Sequence, residues 1–166
     1  MDIGSIQDLR AALVVALAAE SFIASSEAAE QLHDACKLAQ QRGLSADRIE
    51  PLRMLLSSHS TANDLHDAIA TLDLLAAIEI TAEAVREKLL KLPVVRLHPP
   101  EIECGGKVYQ VSTNQALAFH TMRERYPDRV SLSAEVGHHP DRYIGRLPEE
   151  LRQLIDTDQR GSRLSL

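Results

Sequence analysis

Aromatic residues are nearly missing from this chain: there is no Trp, and three Tyr and two Phe make up 3% of its 166 residues. A core without large rings is filled by Leu, Ala, Ile and Val, which suits packed helices and disfavours a β-sandwich. Cysteine is scarce too. Cys36 and Cys104 stand far apart and make no disulfide framework, so a reducing cytoplasm is the expected compartment. Long apolar runs are absent: Ala11 to Ala19 falls well short of the roughly 18 residues of a membrane span. Asp2 and Asp8, with Arg10 alone as a base, are the reverse of a signal peptide's positive start. There is no G-x-S-x-G elbow, no phosphate loop and no dinucleotide fingerprint, so neither an enzyme activity nor a cofactor is expected.

What charge there is lies unevenly. The net charge is −6; residues 1–92 hold 8 Lys+Arg against 14 Asp+Glu, whereas residues 93–166 hold 10 against 10. An acidic half is a poor partner for phosphate backbones, so any nucleic acid falls to the second half.

The first half reads as five short helices. Ser5 with Asp8 approximates a capping box ahead of Leu9, Leu13, Ala16 and Leu17. A second helix starts near Ser26, with Ala29, Leu32, Cys36 and Ala39 on its stripe and Gly43 as its left-handed C-cap. Ser45 opens a third, whose regular part can be as short as Pro51 to Ser58 because Pro belongs in a first turn. Thr61 with Asp64 starts a fourth through Leu65, Ile69 and Leu72, and Thr81 a fifth through Val85, Leu89 and Leu92. The texture changes at Pro93. Val94 to Leu97 reads as a strand, Glu101 to Val111 as a hairpin turned at Gly105-Gly106, and Ser112 with Gln115 as a capping box for a helix to Tyr126. Ser131 to Gly137 reads as a short helix. Ile144, Leu147, Leu151, Leu154 and Ile155 then form one helical stripe near residues 140–156, and Gly161 to Leu166 reads as the second strand of a terminal hairpin. The expected fold is mainly α: a helical bundle, 1–92, then an α+β domain, 93–166.

That order of elements in the second part resembles the winged helix-turn-helix domains of bacterial transcription regulators. The resemblance implies that the third helix carries specificity contacts and the wing backbone contacts, which here fall on Arg142, Arg146, Arg160 and Arg163. The residues themselves add Gln153 beside Arg142, Arg146 and Glu149 on the polar side of that helix, and Arg129 in the preceding loop, as side chains suited to base edges or phosphates. Departures are visible. The response-regulator form of this fold has a larger N-terminal sheet than one hairpin, and residues 1–92 lack a receiver domain's βα alternation. Pro148 interrupts the proposed reading helix, and the domain is neutral where DNA-binding domains are basic.

His138-His139 with Asp141 lacks the spacing of a structural zinc site, so no metal is expected. Both Cys read as small core residues. Two functions follow: a DNA-binding regulator or DNA-associated factor whose bundle self-associates or docks a partner, or a non-enzymatic adaptor, or subunit of a larger complex, that holds protein with the same winged helix. No membrane partner is expected.

Overall fold

The computed structural model describes residues 1–133 and 143–166. Among the described residues the elements run α1 (Ile3–Ala18), α2 (Ser26–Gln41), α3 (Ala46–Met54), α4 (Ala62–Lys91), β1 (Val95–His98), β2 (Glu101–Cys104), β3 (Lys107–Gln110), α5 (Thr113–Arg125), β4 (Val130–Leu132), β5 (Tyr143–Gly145) and α6 (Glu149–Leu164). The fold is mainly helical with a small mixed sheet. Two compact units emerge, residues 1–80 with 161–166 and residues 81–160, so the division falls within α4.

In the first unit, α1 is capped by Asp2, whose Oδ1 accepts the Ser5 backbone N–H and hydroxyl, both at 2.8 Å. The cap is thus Asp2 and not the expected Ser5. Ile6, Leu9 and Leu13, spaced by three and four, are fully buried. The helix closes with Glu20 in the left-handed region at φ 52°, while the Glu20 and Ser21 N–H groups donate to Leu17 and Ala16 carbonyls. Ser25 caps α2, Gly43 ends its turn at φ 76°, and Leu32, Ala35 and Ala39 enter the core. Pro51 lies in the second turn of α3, one turn later than its missing N–H suggests. The Thr61–Asp64 box is formed, with Asp64 Oδ2 accepting the Thr61 backbone N–H at 2.7 Å. The helix behind it runs unbroken for 30 residues, so the expected fourth and fifth helices are one. No Gly or Pro lies between Ala62 and Lys91 to stop it.

In the second unit the sheet order is β4-β1-β2-β3-β5, with β1–β3 an antiparallel meander, β4 parallel to β1 and β5 parallel to β3. Registers Val95↔Cys104, Leu97↔Ile102 and Ile102↔Tyr109 place those side chains on one face, where they meet Ala118, Phe119 and Met122 of α5, Leu151, Leu154 and Ile155 of α6, and Val85 and Leu89 of α4. Gly105 and Gly106 turn the hairpin at φ 61° and 77°, which side chains with a Cβ resist. The Ser112–Gln115 capping box of α5 is complete in both directions.

Three expectations for the C-terminal segment fail. Ser131 and Leu132 lie in β4, paired in parallel with Arg96 and Leu97, and so do not open the expected short helix, whose residues 134–137 lie outside the described residues. The helix expected from residue 140 starts at Glu149: Ile144 lies in β5, and Pro148 precedes the helix, its carbonyl accepting the Arg152 N–H at 3.1 Å. Pro148 therefore lies at a helix start, which needs no donor, and breaks nothing. Gly161 to Leu164 continue α6, so no terminal hairpin forms. One Gly costs a helix only about 1 kcal/mol, too little to end one anchored by Leu151, Leu154 and Ile155.

Candidate functional site

The six residues expected to touch DNA have different fates. Arg142 lies outside the described residues, as do His138, His139 and Asp141. Arg129 points inward: its Nη2 donates to the Leu89 carbonyl at 3.1 Å and to that of Leu92. A guanidinium there satisfies the orphan carbonyls at the C-terminal end of α4 and answers the negative end of its dipole, so this residue holds the fold together. Arg146 is exposed between β5 and α6. Gln153, Arg160 and Arg163 lie on the outward side of α6 together with Glu149, Arg152 and Asp156. That side is internally paired at its start, with Glu149 accepting from Gln153 Nε2 at 3.2 Å and facing Arg152 Nη2 at 2.8 Å. The structure thus brings three of the six onto one helix, beside acids.

Toward the core, α6 carries Asp158, 3% exposed and gripped by Arg125 of α5 through Nη1 at 3.0 Å and Nη2 at 3.3 Å. Burial pushes the Asp158 carboxyl above the usual carboxylate range, and the neighbouring Arg125 charge offsets only part of that. Cys36 and Cys104 are buried, and burial likewise raises both thiols, as suits inert core residues. The opposite face of the sheet carries the rows Arg96↔Glu103↔Val108, with Val108 buried, and His98↔Glu101↔Gln110. Period-2 alternation around Ile102 and Cys104 held that signal. His98 Nδ1 lies 2.9 Å from the Ser133 carbonyl, and Glu101, Glu103 and Gln110 are each engaged in polar or electrostatic contacts. Among the described residues no group of three or more His, Cys, Asp or Glu is placed to hold a metal ion, and no helix is long and apolar enough to cross a membrane.

A further surface lies in the first unit. From Ala11 to Ala19 every residue of α1 is apolar. Leu13 is buried, with Ala16 and Leu17 partly so, while Ala11, Ala12, Val14, Val15, Ala18 and Ala19 face outward, Val15 at 69% exposure. Beyond the helix end, Ile23 is 92% exposed. The sequence held this signal: an amphipathic helix needs apolar residues on about three positions in seven, and nine in succession serve two faces. Exposed Asp8 lies one turn before the strip, Glu20 follows the C-cap Ala19 outside the helix, and Arg10, the base on this helix, is bound to Asp73.

No protein family, curated protein or solved structure matches this chain.

Proposed function

We propose that this chain works by binding another protein, as a non-enzymatic adaptor or a subunit of a larger complex, and that a helix of the partner covers the outward side of α1. The observation that carries this reading is the apolar strip Ala11 to Ala19, which has a core on one side and water on the other. A helix apolar all round gains by being covered on both sides, and exposed Val14, Val15 and Ile23 are what a docking partner would remove from water. Charge agrees: the chain is acidic overall and neutral over residues 93–166, and Arg129 is occupied within the fold.

A second reading, a DNA-binding regulator, is favoured by the exposed guanidinium groups of Arg146, Arg160 and Arg163. It also draws on the three-stranded meander ahead of α5, which is larger than one hairpin and in that respect nearer the response-regulator winged helices. One experiment separates the two. The purified chain is titrated with a labelled random-sequence duplex at low and moderate salt, and is used in parallel as bait with its Val15→Glu variant. The expected result is no salt-sensitive duplex binding, together with a protein partner that survives raised salt and is lost with Val15→Glu. Duplex binding that weakens steeply with salt and disappears in an Arg146→Ala, Arg160→Ala, Arg163→Ala variant would replace the first reading with the second.

A further inference from the structure

We draw no further inference here: the strongest candidate, the exposed apolar patch of Val14, Val15 and Ile23 on and just beyond the outward side of α1, belongs to the surface already described, and nothing in the structure shows what covers it.

Discussion

Two side chains show how a charged residue is spent inside a fold. Arg129 donates to the last carbonyls of α4, so Arg129→Ala is expected to destabilise the chain by about 1–3 kcal/mol, the cost of charge-assisted bonds lost at a helix end. Denaturant midpoints measure this, and an unchanged midpoint would return Arg129 to the list of surface contacts. Asp158 yields a pH prediction. Its folded carboxyl lies above its unfolded value, so over the window upward from about 3.8 the folded state holds the proton more tightly than the unfolded state. Stability from this group is therefore largest at low pH and declines as pH rises through the raised value. Measured as the unfolding-temperature difference between the unaltered chain and Asp158→Asn, the advantage of Asp158 should shrink from pH 4 upward. A difference that grows with pH would mean that Arg125 outweighs burial.

At the scale of elements, the end of α1 offers the sharpest case. Glu20 occupies φ 52°, where a Cβ is strained, so Glu20→Gly should raise stability by about 0.5–1 kcal/mol. Thermal unfolding reads the gain, and a loss would show that the carboxylate is held by the fold. Local rules were legible in the sequence wherever the partner of a residue lies a few positions away: the Ser112–Gln115 box, the Thr61–Asp64 box, Gly43 as C-cap and the Gly105-Gly106 turn all formed as expected. What escaped is non-local. Val130 to Leu132 becomes a strand because β1, some 35 positions earlier, offers an edge. Arg129 is drawn inward by carbonyls 37 and 40 positions away. Thr81 mimics a cap yet sits within α4, and Gly161 mimics a turn within α6, because one weak helix former yields to a packed apolar face on either side of it. The uncovered side of α1 was plain in the run Ala11 to Ala19, but a run of nine apolar residues has several uses, and only the burial of Ile6, Leu9 and Leu13 shows which side is left over.

For the whole molecule the governing fact is that net negative charge is concentrated in residues 1–80, which carry 5 Lys+Arg against 12 Asp+Glu, while residues 81–160 carry 12 against 12. Salt acts on the acidic part in two opposed ways. It weakens the pairs Arg10–Asp73 and Arg42–Glu79, and it relieves repulsion among the surplus carboxylates. Arg10 and Asp73 are about half exposed, and such surface pairs contribute only about 0–1 kcal/mol, so their weakening is a small loss. Repulsion is summed over many carboxylates separated by less than the Debye length at low salt, about 30 Å at 0.01 M and about 8 Å at 0.15 M. Repulsion should therefore win, and the unfolding temperature is expected to rise as sodium chloride is added over that range. Neutralising one exposed surplus acid, as in Asp34→Asn, should reproduce part of the rise at low salt and shrink the remaining salt response. An unfolding temperature that falls with salt would instead mean that the two cross-helix pairs contribute more than the surplus charge costs.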